Sequence, residues 1–112
     1  MAGAYDINIE KVRQFLRNKE VKRRNRLYEQ WKKAADDFNI IVSHIIKKYN
    51  PRRIYQWGSL LEFSRFSEIS DIDIALEGLS GPEEYYAIIG DAMERTSFPL
   101  DIIEIDKLDP ET

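Results

Sequence analysis

From Leu27 onward, apolar residues recur at spacings of three and four, at Trp31, Ala34, Phe38, Ile41, Ile45 and Tyr49, with Val42 and Ile46 widening the stripe. Only an α-helix places residues at those spacings on one face. Neither Gly nor Pro interrupts the run before Pro51, and Lys47 and Lys48 in the last turn suit the negative end of the helix dipole. Whatever this chain folds into must therefore cover one side of a helix about six turns long. Upstream, Ile9, Val12, Phe15 and Leu16 form a shorter stripe of the same period, with Asn8 placed to cap it. The polar run Asn18 to Arg26 between the stripes is helix-compatible but has only Val21 to bury. The pattern leaves one continuous helix and two separate ones equally open.

After Pro51 the period changes from helical to alternating. Arg53 to Trp57 reads as a strand broken by Gly58-Ser59, and Leu60 to Phe66 suits a helical turn or two. A polar connector, Ser67 to Ser70, leads to a second strand over Asp71 to Leu76. Gly78 and Gly81-Pro82 mark a loop, and Pro82, Glu83 and Glu84 favour the start of a helix that runs to about Arg95. Pro99 precedes a third strand, Leu100 to Ile105, and Lys107 to Thr112 is expected to fray. This order predicts an α/β layer with helices covering a sheet.

A length of 112 residues fits one compact domain. No apolar stretch approaches the roughly 20 residues that span a bilayer, and Met1 to Asn8 lacks the apolar run of a signal peptide. A soluble, cytoplasmic protein with no membrane partner is expected. The absence of cysteine excludes disulfides, thiolate metal sites and a cysteine nucleophile, so a metal must be held by oxygen ligands or by the single His44. Charge is split along the chain. Residues 1–53 hold 14 Lys and Arg against 6 Asp and Glu, whereas residues 54–112 hold 3 against 14. The basic block, including Lys22, Arg23, Arg24 and Arg26, suits RNA, DNA or an acidic protein surface.

The acidic half carries the chemistry. On a strand, Asp71 and Asp73 share one face while Ile72 and Ile74 pack on the other, with the acidic Cα atoms roughly 6.5 to 7 Å apart. Carboxylates at that separation can converge on one or two magnesium ions, although exposed edge strands also carry such pairs. Gly58 permits close backbone approach at a strand end, and the amides and hydroxyl of Gly58-Ser59 suit phosphate oxygens. Asp101 opens a short apolar strand where Leu or Val would pack better.

Taken together, these segments resemble the nucleotidyltransferase superfamily that includes DNA polymerase beta, in particular its minimal nucleotidyltransferase (MNT) branch. Tyr55-Gln56-Trp57-Gly58-Ser59 is similar to that family's strand followed by Gly-Ser. Ser70-Asp71-Ile72-Asp73-Ile74-Ala75-Leu76 is similar to its Ser-Asp-x-Asp strand, and Pro99-Leu100-Asp101-Ile102-Ile103 to the strand bearing its third carboxylate. The resemblance implies a nucleotidyltransferase fold: a small mixed sheet of three or more strands covered by helices, with residues 1–50 as an N-terminal helical segment and 51–112 as the core. It implies magnesium held by Asp71, Asp73 and Asp101, and ATP or another nucleoside triphosphate held by Gly58, Ser59 and Ser70. In that scheme Asp101 helps hold a second metal and activates an acceptor hydroxyl on protein or RNA. Family members commonly stand beside an all-helical HEPN partner as an antitoxin, and this chain lacks the Arg-x4-6-His ribonuclease motif of active HEPN toxins.

One departure stands out. Many family members follow Gly-Ser with a short segment containing Arg-Gly, whereas this chain has Leu60-Leu61-Glu62-Phe63, which leaves Arg65 to supply the positive charge from a shifted position. A catalytically weak module that neutralises a partner by contact is the alternative reading. Trp31 is expected in the core, Trp57 in the core with base stacking as the alternative, and His44 in a structural or solvated position with no functional role. The apolar stripe of the N-terminal helix is as available to a homodimer or a heteromeric partner as to the domain's own sheet.

Overall fold

The computed structural model describes residues 8–105. The two apolar stripes belong to a single 41-residue helix, α1 (Ile9–Tyr49), roughly 60 Å long. Asn8 caps it by accepting the Lys11 N–H at 3.1 Å. At the other end Asn50 turns the chain with a left-handed backbone (φ 49°), its N–H returning to the Ile45 carbonyl at 3.1 Å. The helices join because nothing between residues 18 and 26 breaks a helix. Once the packed part of α1 has formed, each further turn propagates without a new nucleation cost.

Beyond Asn50 come strand β1 (Arg53–Trp57), two short 3-10 turns (Ser59–Leu61 and Phe63–Arg65), β2 (Ile72–Glu77), helix α2 (Pro82–Met93) and β3 (Leu100–Ile105). The predicted helical segment after Gly58 is thus two separate turns, broken at Glu62, whose backbone is extended. The second strand begins at Ile72, leaving Asp71 on its threshold. The tail expected to fray, 107–112, lies outside the described residues.

The three strands form a mixed sheet in the order β1-β2-β3. β1 runs antiparallel to β2 and β2 parallel to β3. This is a mixed α/β fold with α2 as the crossover between parallel neighbours. Both helices pack on one sheet face. There Ile72, Ile74 and Leu76 of β2, with Ile102 of β3, meet Leu27, Ala34, Ile41 and Ile45 of α1 and Ile88 and Ala92 of α2. The alternation of strand side chains sends Trp57, Asp73 and Asp101 to the opposite face.

A polar staple fixes the two helices. Asp91 Oδ2 on α2 accepts from Tyr49 Oη at 2.6 Å, Lys48 Nζ at 3.0 Å and pairs with His44 Nε2 at 2.8 Å. These partners, the Tyr49 hydroxyl foremost, hold the Asp91 carboxyl well below the usual carboxylate range. Of the structural and solvated positions expected for His44, the structure shows the first, a partly buried contact with Asp91. Among the described residues no helix is long and apolar enough to cross a membrane.

Candidate functional site

Register decides which acids meet. Trp57 is the cross-strand partner of Asp73, and Asp73 is in turn the partner of Asp101. Side chains at partnered positions lie on the same face about 4.8 Å apart from strand to strand, so the three form one row across the sheet. Asp71 stands just before β2. The Ile72 N–H donates to the Pro99 carbonyl at 2.8 Å, so β2 and β3 start level and their acids gather at one end of the sheet.

Asp73 occupies the middle of this row and is only 7% exposed. Its carboxyl is pushed up to about 6, chiefly by burial, then by the negative charges of Asp101 and Asp71 in that order. All three acids therefore share one electrostatic neighbourhood. Asp101, the acid whose place depended on strand pairing, acts on Asp73 more strongly than Asp71 does.

Gly58 is required by this arrangement. Its φ of 85° lies in the left-handed region, and a Cβ built there would fall 1.9 Å from Asp73 Oδ2. Any other residue would drive the carboxylate from its position. Ser59 Oγ donates to Ser70 Oγ at 2.8 Å, and the Ser67 N–H donates to the same oxygen at 2.8 Å. Ser59 and Ser70 thus tie the turn after β1 to the connector that delivers Asp71. Arg65 sits exposed at the end of the second 3-10 turn, and among the described residues it enters no ion pair.

α1 positions both ends of the site through contacts that sequence reading did not assign. Trp31 is partly buried against the core as expected, but its Nε1–H also donates to the Leu60 carbonyl at 2.9 Å and so fixes the turn that begins at Gly58. Asp37, only 3% exposed, accepts from Thr96 Oγ1 at 2.7 Å and from Lys33 Nζ at 3.1 Å. Thr96 Oγ1 also accepts the Phe98 N–H at 3.1 Å, which anchors the segment entering β3 and hence Asp101. The one sequence signal for Asp37 is an acid three residues after Ala34 and four before Ile41, inside an apolar stripe.

Trp57 departs from expectation. It is 38% exposed, because the helices cover the face of β1 that carries Ile54, and Trp57 looks the other way beside Asp73. Its ring is available as a flat apolar surface at the edge of the acidic row.

Among the described residues, no three His, Cys, Asp or Glu side chains close into a ready-made metal cage. Magnesium does not need one, since it commonly takes one or two protein carboxylates and completes its shell with water and phosphate oxygens. The raised Asp73 pKa and the glycine cradle against Asp73 Oδ2 fit such a cation, whose charge would offset the crowding of acids. Asp73 and Asp101, partners in register, would hold it, with Asp71 just before β2. The chain matches no protein-family model, no curated protein and no solved structure.

Proposed function

We propose that this chain is a magnesium-dependent nucleotidyltransferase of the minimal branch of the DNA polymerase beta superfamily. It transfers a nucleoside monophosphate, AMP from ATP, to a hydroxyl on a protein or RNA, and serves as the antitoxin member of a pair with a HEPN-type partner. The observation that carries this reading is the row Trp57–Asp73–Asp101 with Gly58 pressed against Asp73. A buried acid with a like-charged neighbour in register destabilises a fold unless a cation is meant to join it.

Bound magnesium would supply Lewis-acid neutralisation of phosphate charge. The chain's own residues do the rest. Asp73 and Asp101 would hold the cation from adjacent strands with Asp71 beside them, and the turn at Gly58 and Ser59 would let triphosphate oxygens approach backbone N–H groups at close range. The acceptor oxygen bonds to the α-phosphorus, the bond from that phosphorus to the pyrophosphate oxygen breaks, and the acceptor proton passes to a carboxylate. Asp101 is assigned that proton, since it stands at the edge of the row on the outer strand.

A second reading, a binding module without turnover, is favoured by one observation. The segment from Gly58 to Phe66 has Arg65 as its single basic residue, and Glu62 stands exposed within it. Incubation with ATP and magnesium, alone and with the products of neighbouring genes, followed by intact-mass measurement, separates the two. Transfer predicts a mass increment of one or more AMP units that disappears in Asp71→Ala/Asp73→Ala. Tight partner binding by both forms with no increment would replace the enzyme by the binding module.

A further inference from the structure

α1 leaves the domain at a particular end. It runs antiparallel to β1, so its N-terminal part projects past the sheet end that carries Gly58, Asp71 and Asp101. Its last ties to the domain are the Trp31–Leu60 hydrogen bond, the Arg24 guanidinium 5.9 Å over the Phe63 ring and the Arg23–Glu68 ion pair at 3.2 Å. From Asn8 to Arg26 every residue is exposed. This arm is about 27 Å long and accounts for much of the 75 Å longest dimension, against 35 and 19 Å for the others.

The arm is not a plain solvated helix. Counted at 100° per residue, Ile9, Val12 and Leu16 fall within roughly the same 60° sector as Leu27, Ala34, Ile41 and Ile45. That face is interrupted at residues 18–26, where Arg23 occupies the sector and pairs with Glu20 and Glu68, and it is apolar again farther out with no sheet above it, leaving Ile9, Val12 and Leu16 exposed by 60, 46 and 56%. Charge borders this stripe, with Arg13 and Arg17 on one side and Lys19 and Arg26 on the other. Between Ile9 and Arg26 eight Lys and Arg stand against two Glu.

Those two properties select the occupant. A nucleic acid answers the charge but leaves the apolar stripe in water. A second arm answers the stripe but sets two strongly basic helices side by side. A helix whose own apolar stripe is bordered by Asp and Glu answers both. We propose that the arm, bounded at its base by Phe63 and Glu68, is a seat for an acidic amphipathic helix of a different protein. This goes beyond the transfer reading and does not depend on it, since the seat is made by α1 whether or not the carboxylates act.

The test uses the full chain and a dye-labelled synthetic 20-residue helical peptide with Leu at every third and fourth position and Glu on both flanks. A twin peptide has Lys in place of every Glu, and a 20-nucleotide single-stranded RNA completes the set. Fluorescence anisotropy should show the acidic peptide binding at least tenfold tighter than its twin, and weakening as salt rises. Val12→Gln/Leu16→Gln, which keeps good helix formers on the arm, should weaken the acidic peptide at least tenfold, and so should Arg13→Glu/Arg17→Glu. Asp73→Asn should leave peptide binding unchanged, which separates this seat from the acidic row. Equal affinity for the twin peptides would overturn the proposal, as would peptide binding that survives both arm variants. RNA binding that exceeds peptide binding and is lost in Arg13→Glu/Arg17→Glu would make the arm a nucleic-acid element instead. A concentration-dependent dimer in sedimentation that dissociates in Val12→Gln/Leu16→Gln would make the occupant a second copy.

Discussion

The two faces of β2 are equally hidden and oppositely made. Ile72, Ile74 and Leu76 are 0% exposed on the helix side, while Asp73, Ala75 and Glu77 are 7, 6 and 5% exposed on the other. One face is covered by two helices. The other is hidden by its lateral neighbours, with Trp57 and Ile103 beside it still 38 and 39% exposed. Burial alone therefore does not distinguish stability from chemistry in this sheet, but the identity of the buried groups does. Apolar residues on the first face lower the free energy of folding, whereas the buried charge of Asp73 on the second raises it.

The largest effect that tests this contrast is on the helix side. Ile74 is fully buried among α1, α2 and β3, so Ile74→Ala should destabilise the domain by about 2–5 kcal/mol through lost burial and the cavity left behind. Urea denaturation should show a lower midpoint with an unchanged slope. A loss below about 1 kcal/mol would mean that this face is not the core.

Asp73→Asn should act in the opposite direction. The wild-type carboxyl is raised from near 3.8 to about 6 in the fold, so between those pH values the folded state binds more protons than the unfolded one. Stability contributed by this group is then greatest below the lower pKa, falls as pH rises through the window, and stays low above it. Removing the charge should make the variant more stable than wild type at pH 7 by about 2–3 kcal/mol, at 1.36 kcal/mol per pKa unit. The gap should close near pH 4. Magnesium should raise the melting temperature of wild type and not of the variant, as linkage requires when the native state binds the ion. A variant less stable than wild type at pH 7 would break the contrast between the faces.

What was legible in the sequence follows the range of the interaction. The packed half of α1 was legible because a period of three and four is local, and β1 and β3 were legible with their boundaries because alternation and Pro99 are local too. The junction of the two N-terminal stripes was not, since residues 18–26 bury nothing and leave no periodic trace. Asp71 and Asp73 were legible as neighbours, but the closer electrostatic pairing of Asp73 with Asp101 is a property of parallel register between segments 28 positions apart. Trp57 was placed in the core because alternation says that a strand has two faces without saying which one the helices cover. Asp37 and Thr96, 59 residues apart, carried even less local signal.

That last pair joins the two faces, and it sets the smallest expected effect. Asp37 sits within the apolar layer of α1, yet through Thr96 it fixes the segment that delivers Asp101 to the opposite side. Thr96→Val preserves shape while removing the hydroxyl, leaving Asp37 with Lys33 as its remaining partner and the Phe98 N–H without its acceptor. The cost should be about 1–2 kcal/mol, the usual magnitude for a buried polar group deprived of its partner, well below that of Ile74→Ala. If the contact serves position as well as stability, the variant should also lose part of the magnesium-induced rise in melting temperature while its fold remains intact. A stability loss with the full magnesium response retained would confine Asp37 and Thr96 to the core and leave the open face to organise itself.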